Sequence, residues 1–368
     1  MRWLFLSIII LLFELFTYGA GRGIQWWATG LISDKSARYL MISLFVISNA
    51  LLIFGIARIT SIGLKVAMSW LTIMWLIILS MLAVALIHLI LAKVAPHLQV
   101  MSVRWLLPSS FLGLLAMGVY NAYVPTIRYA TVFVNQPMTK PVRLAMVSDL
   151  HLGWLVGNRQ INRLTDIVKT QNVAMLLMPG DILDDNVEYY NHLNMQPAMQ
   201  NLVKAVPLGV YASLGNHDMY GSEAEIRNAL LEAGVHVLGD ETVKVNDQVW
   251  LIGRLDNHAR LRKPTTDLMP TTIDKPIILL DHEPNEIEKN VQLPIDLQLS
   301  GHTHNGQIFP ANFIVKALNR LAYGHERINN TDVIVSSGYG FWGVPFRLGS
   351  QSEVWIIDLV PKKPSIKS

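Results

Sequence analysis

Four long apolar stretches fill the first 125 residues: Trp3–Tyr18, Tyr39–Ile59, Val66–Ala92 and Trp105–Val124. In hydrocarbon every backbone N–H and C=O must be satisfied internally, so such stretches cross a bilayer as helices. At about 1.5 Å per residue, roughly 20 residues span the core. The spacing predicts an all-α bundle of four transmembrane helices over residues 1–125. The first stretch has a positive start and an apolar core, as a signal peptide does. Glu14 interrupts that core, however, and Tyr18-Gly19-Ala20-Gly21 is a weak cleavage site, so it reads as a retained span. Pro108 lies near the start of the fourth stretch, and Gly113, Ala116 and Gly118 suit close helix packing. Trp3, Trp26, Trp27, Trp105, Tyr120 and Tyr123 lie near segment ends, where amphipathic rings favour the interface. Glu14 and His88 each lie four residues before the end of an odd-numbered span and read as interface-solvated groups.

The chain is 51% hydrophobic and 15% charged, with mean hydropathy +0.34, and the cause is local. Residues 1–125 carry eight Lys/Arg and two acids, whereas the remainder carries 22 bases and 25 acids. A basic excess confined to membrane flanks argues for a lipid bilayer, and no nucleic-acid partner is expected. Six Lys/Arg fall on the side of the termini (Arg2, Arg58, Lys65, Arg128, Lys140, Arg143). Five fall on the other (Arg22, Lys35, Arg38, Lys93, Arg104), so the bias toward a cytoplasmic C-terminal part is slight. The chain has no cysteine, so any metal must be held by N and O donors.

After Pro125 the pattern changes. Residues 126–141 read as a linker, 142–360 as an α/β (α+β) domain, and 361–368 as a disordered tail. Short apolar runs predict strands at Val142–Val147, Ala174–Met178, Leu208–Ser213, Ile277–Leu280, Ile295–Ser300, Val333–Ser336 and Val354–Leu359, with a hairpin about Asn246-Asp247. Helical spacing predicts helices at Asn158–Thr170 and near Ser222–Ala233, the latter with Ser222 as N-cap and Glu225 three residues on. The order implies a mixed β-sandwich flanked by helices. Ile308–Leu321 reads as a core helix, with a lid or membrane-facing helix as the alternative.

Chemistry-bearing residues follow the strands. Val142–Val147 runs into Ser148-Asp149-Leu150-His151, and Ala174–Met178 into Gly180-Asp181-Ile182-Leu183-Asp184. Leu208–Ser213 leads to Gly215-Asn216-His217-Asp218, Ile277–Leu280 to Asp281-His282, and Ile295–Ser300 to Gly301-His302-Thr303-His304. Ligands gather at the carboxyl ends of strands. Neutral imidazole is the commonest protein metal ligand, and a carboxylate can bridge two ions. Two ions about 3.5–4 Å apart clamp a phosphate and lower the pKa of a bound water, which then attacks in line. A lone Asp-x-His is ordinarily a surface turn; five such motifs in order are not. His192, His236, His258 and His325 fit no motif and read as ordinary residues.

The ordered set Asp149-x-His151, Gly180-Asp181-x-x-Asp184, Gly215-Asn216-His217-Asp218, His282 and Gly301-His302-x-His304 resembles the calcineurin-like metallophosphoesterases over residues 142–360. Ser337-Gly338-Tyr339-Gly340 and Pro345-Phe346-Arg347-Leu348 resemble the bacterial membrane-associated branch that includes UDP-diacylglucosamine hydrolases. Asn305 departs from the glycine of that branch and is expected to affect only the loop. The resemblance implies that Asp149, His151 and His304 hold one divalent ion, that Asn216, His282 and His302 hold the other, and that Asp181 bridges. It implies that His217, with Asn216, meets the phosphate and protonates the leaving oxygen. Asp184 would orient His217, with Asp218 as the competing candidate. Mn is the first choice of metal, with Fe, Zn, Mg or Ca also accepted. Phe341, Trp342 and Phe346 are near enough to contact a substrate or to be core.

The expected function is a membrane-anchored hydrolase of a phosphodiester or pyrophosphate, lipid-linked because of the anchor, using a hydroxide held by two metals. The expected location is a bacterial inner membrane. The alternatives are a phosphoesterase for a soluble nucleotide or phosphodiester, a non-enzymatic sensor or scaffold, and a transporter. The complete donor set opposes the scaffold reading. A single candidate charge pair, Glu14 and His88, makes a poor transport path.

Overall fold

The computed structural model describes residues 2–57, 63–94, 99–138 and 140–362. The expected ends of the second span (Arg58, Ile59) and of the tail (363–368) lie outside them. By internal contacts the chain forms two units. One comprises the residues up to Tyr120 together with Gly343–Phe346, and the other Asn121–Trp342 with the residues from Arg347 onward.

The first unit is helical, with α1 (Arg2–Ala28), α2 (Asp34–Ile56), α3 (Gly63–Val94) and most of α4 (Gln99–Tyr123). Among the described residues, three helices are long and apolar enough to cross a membrane: Asp34–Ile56, Gly63–Val94 and Trp105–Tyr123. The first of the four expected spans lies in α1, which is not among those three. Polar groups in these helices are satisfied locally, as an apolar surround requires. Ser48 donates to Leu44 O at 2.8 Å and accepts from Trp70 Nε1 at 2.8 Å. Ser80 donates to Leu76 O at 2.7 Å. Ser33 caps α2 by accepting from Ser36 N at 3.1 Å. Glu14 accepts a long bond from Asn49 Nδ2 at 3.4 Å.

The second unit holds twelve strands: β1 (Thr126–Val134), β2 (Val142–Met146), β3 (Met175–Pro179), β4 (Val210–Ser213), β5 (His236–Val237), β6 (Glu241–Val245), β7 (Val249–Gly253), β8 (Ile277–Leu280), β9 (Leu297–Ser300), β10 (Gly324–Ile328), β11 (Thr331–Val335) and β12 (Glu353–Pro361). They form two six-stranded mixed sheets, ordered β1-β12-β2-β3-β4-β5 and β10-β11-β9-β8-β7-β6. The neighbours β2, β3 and β4 run parallel, as do β7, β8, β9 and β11, which points their carboxyl ends the same way within each sheet. The strand period of two explains the layers. Leu144 and Met146 of β2 and Leu177 of β3 pack with Leu251, Leu280 and Leu299 of the other sheet. Their alternates Ala145, Leu176 and Met178 turn outward onto α5 (Asn158–Thr170), α7 (Gln196–Lys204) and α9 (Glu223–Glu232) through Leu164, Leu202 and Leu230. Strands buried on both faces read as unbroken apolar runs, which is why β2, β3, β8 and β9 are visible in the sequence.

Several expectations need correction. Residues 126–134 are not linker: β1 pairs in parallel with β12 from Thr126↔Glu353 to Val134↔Pro361. β5 and β10, and the short helices α6 (Glu188–His192), α8 (Asn216–Met219) and α10 (Ile287–Asn290), also went unread, as did α7. Ser222 stands before α9 without a side-chain capping bond, at φ −121° and ψ 28°. The helix within 308–321 is α11 (Ala311–Leu318), and none of its residues is buried, so it is not a core helix. Its apolar period is real, but nothing among the described residues covers its outer face.

Candidate metal centre

Five strand ends meet at one place. Beyond β2, β3 and β9 the backbone turns sharply, and Asp149, Asp181, His302 and His304 take left-handed φ of 53°, 54°, 69° and 49°. Such conformations cost roughly 1–3 kcal/mol each and persist only where neighbours over-determine them. Here the neighbours are each other. His151 N donates to Asp181 O at 3.1 Å, His302 N to Asp149 Oδ1 at 3.0 Å, and His217 N to Asp181 Oδ1 at 2.8 Å. Asn305 also sits left-handed, at φ 49° and ψ 38°, a conformation asparagine tolerates almost as glycine does. Gly215 and Gly301 allow close approach, since a Cβ on either would overlap the carboxylate of Asp181 or Asp149.

The expected donors form two groups that share one carboxylate. In the first, His304 Nε2 lies 3.2 Å from His151 Nε2 and 3.5 Å from Asp149 Oδ1, and His151 Nε2 lies 3.8 Å from Asp181 Oδ2. In the second, His282 Nε2 lies 3.1 Å from Asp181 Oδ2 and 3.2 Å from Asn216 Oδ1, which is 2.9 Å from His302 Nδ1. Asp181 Oδ2 thus faces both groups. Tyr220 Oη accepts from Asn216 Nδ2 at 2.9 Å, which leaves Asn216 Oδ1 turned to the imidazoles. His282 Nδ1 is bonded to Pro179 O at 2.9 Å, so its Nε2 faces the centre. Imidazoles and carboxylates that converge in two groups, all but His302 of them buried, fit divalent cations of mixed N/O preference.

Electrostatics agree. Burial, aided by the Asp181 charge, raises Asp149 to about 6 against the pull of His282. Burial lowers His151 to about 4, and burial with the Arg347 charge holds His304 well below its usual value. Burial and the His282 charge lower His302. His282 is raised well above its usual value because Asp181 outweighs the effect of burial. Asp181, though buried, is held below the carboxylate range by His282, His151 and His217.

The partner of His217 corrects the sequence reading. His217 Nδ1 bonds to Asp185 Oδ1 at 2.6 Å. Asp184 instead lies 3.9 Å from His151 Nδ1. Asp218 is buried and accepts from the backbone N–H of Ile182, Leu183 and Gly215 at 2.9–3.1 Å, a purely structural task. Burial lowers His217, but the Asp185 bond and the Asp181 charge prevail and raise it.

A cleft of about 320 Å³ opens beside the centre, lined by Asp181, Asn216, His217, His302, His304, Ala311, Val315 and Trp342. The Trp342 ring is 6.0 Å from that of His217, whereas Phe341 is buried against Tyr123. Sequence reading assigned no task to three supports. Gln307 Oε1 accepts from Trp342 N at 3.0 Å and its Nε2 donates to Trp342 O at 2.9 Å, fixing that loop. Arg347, wholly buried, donates from Nη2 to Ser337 O at 2.6 Å and Gly340 O at 2.7 Å, and its Nη2 lies 3.1 Å from His304 Nδ1. Tyr220, which holds Asn216, has only its place four residues on as a signal.

A calcineurin-like phosphoesterase family model matches residues 142–306. An uncharacterized metallophosphoesterase of Helicobacter pylori (strain J99) is 32% identical over 261 residues, 69% of this chain and 69% of that protein. A transmembrane protein with metallophosphoesterase domain from Danio rerio is 34% identical over 231 residues, 58% of this chain and 52% of that protein. Among solved structures, a 5′-nucleotidase precursor from Thermus thermophilus aligns at TM-score 0.35 and 16% identity over 60% of this chain and 54% of that one, too slight a likeness to argue from.

Proposed function

The chain belongs to the calcineurin-like metallophosphoesterases, and on that premise we propose that it is a membrane-anchored hydrolase of a lipid-linked phosphodiester or pyrophosphate. The observation that carries the reading is Asp181 Oδ2, 3.1 Å from His282 Nε2 and 3.8 Å from His151 Nε2, between two complete donor groups. Asp149, His151 and His304 would hold one divalent ion, Asn216, His282 and His302 the other, and Asp181 both; Mn suits this donor set. When bound, such a pair supplies positive charge to the phosphoryl oxygens and a water of lowered pKa. Asn216 and His217, which line the cleft, orient the phosphoryl group. His217 Nδ1 is taken by Asp185, so Nε2 is the atom that donates a proton to the leaving oxygen. Trp342 and the Val315 side of α11 keep one wall of the cleft apolar.

Three helices of spanning length support the anchor. The slight Lys/Arg bias supports a cytoplasmic catalytic domain at a bacterial inner membrane. Anchoring in turn favours a lipid-linked substrate. The test is hydrolysis of mono- and di-p-nitrophenyl phosphate by the detergent-purified chain with added Mn, beside Asp181→Asn. Diester cleavage that needs both Mn and Asp181 is the expected result. Equal activity in Asp181→Asn contradicts the assignment, and a strong preference for soluble nucleotides over lipid-linked diesters contradicts the substrate class.

A further inference from the structure

The helix α11 begins five residues after Gly306 and runs along the cleft that carries the metal centre. Ala311 and Val315 face that cleft. The outward arc of the helix is apolar and open: Phe313 is 62% exposed, Ile314 58% and Leu318 77%. Phe309 packs edge-on against Phe313 at 5.8 Å and is itself 37% exposed, so the patch extends ahead of the helix. Ile314 and Leu318 are four apart and share a face. Soluble surfaces seldom cluster large apolar side chains this way without an occupant. Charge indicates which occupant. From Gly301 to His325 the chain carries Lys316 and Arg320 and no Asp or Glu. Arg320 is held by Glu326 at 2.7 Å, so the exposed Lys316 carries the argument. Apolar side chains beside a basic group fit the headgroup region of an anionic bilayer. A second copy of this chain would have to meet the same apolar and basic face.

We propose that α11 is an interfacial docking helix that seats the mouth of the metal-centre cleft on an anionic lipid surface through Phe313, Ile314, Leu318 and Lys316. The proposal rests on the reading of the chain as a membrane-anchored phosphoesterase. It adds how a lipid-linked phosphate reaches the centre without crossing water.

The absence of cysteine permits single-site labelling. An environment-sensitive fluorophore is attached to Ile314→Cys, and to Asn246→Cys in the β6–β7 turn as an exposed control. The full chain is then reconstituted in phosphatidylcholine vesicles with and without phosphatidylglycerol, containing a spin-labelled lipid. The expected result is blue-shifted emission at position 314, quenched by the spin label severalfold more than at position 246 and more strongly with phosphatidylglycerol. Adding Lys316→Glu should shift the inserted-to-free balance about tenfold toward free. Quenching no greater than the control overturns the proposal. Shielding that ignores the spin label and vanishes on diluting the chain assigns the patch to a second copy and overturns it as well. Neither Ile314 nor Lys316 lines the cleft, so Mn-dependent cleavage of a soluble diester in detergent, run on the same variants, reports separately on the phosphoesterase reading.

Discussion

Replacing Asp185 by Asn tests the proton path most sharply. The Asp185–His217 bond is short, 2.6 Å, and the imidazole is largely shielded, at 13% side-chain exposure. A hydrogen bond to a charged group contributes about 1.5–3 kcal/mol. The Asp185 side chain is 49% exposed, so solvent screening reduces this to about 1 kcal/mol. At about 1.4 kcal/mol per tenfold, kcat for a poor leaving group should fall about fivefold with KM little changed. Removing the ring itself, as in His217→Ala, should cost about 10²–10⁴. The pH profile carries the second signature. In the proposed role of His217 as the acid, its raised pKa keeps it protonated to higher pH, so activity should be lost as pH rises through that value. Losing Asp185 lowers the pKa and should move the basic limb to lower pH. Asp184→Asn should instead raise the Mn concentration needed, through His151, and should move the limb less than Asp185→Asn does, because Asp184 adds only its charge and no hydrogen bond to the raised His217. Steady-state kinetics of the three variants from pH 5 to 10 decides the matter. A basic limb that moves in Asp184→Asn and not in Asp185→Asn refutes the assignment.

Gly215→Ala should push its new methyl into Asp181 and reduce bound metal below that of the native chain by elemental analysis, at about 1–3 kcal/mol of stability. Arg347→Lys should leave buried carbonyls of Ser337 and Gly340 poorly paired, costing about 3 kcal/mol and lowering the apparent Tm by about 10 °C in a thermal shift assay. For the metal-free chain, the contributions of His282 and His217, both raised, are fully present below the unfolded value of about 6.5 and are lost as pH rises through their folded values. The neutral His151, His302 and His304 act in the opposite sense only below that window. With chelator present, Tm should therefore fall from pH 6.5 to 9, and excess Mn should flatten or reverse the trend.

The gathering of the donors was legible because imidazole, carboxylate and amide side chains follow directly on apolar strand runs at five places in the sequence. The fold adds the left-handed turns at Asp149, Asp181 and His302, which allow only a few side chains to converge. The partner of His217 was not legible. Asp184 and Asp185 are adjacent, and a turn with φ 70° at Asp185 decides which carboxylate reaches the ring. No pattern in the sequence encodes that. β1 was missed because its partner, β12, lies more than 200 residues away and the strand follows directly on a long apolar helix. Periodicity found α11 but could not say what its apolar face meets. Core and interface helices share one pattern, and only burial separates them.

The central claim is that these seven side chains hold two cations through a shared Asp181. Elemental analysis of the purified full chain after Mn loading and dialysis, beside Asp181→Asn, tests it most directly. The account predicts two ions per native chain and at most one in the variant. Two ions retained in Asp181→Asn, or one at most in the native chain at neutral pH, would contradict it.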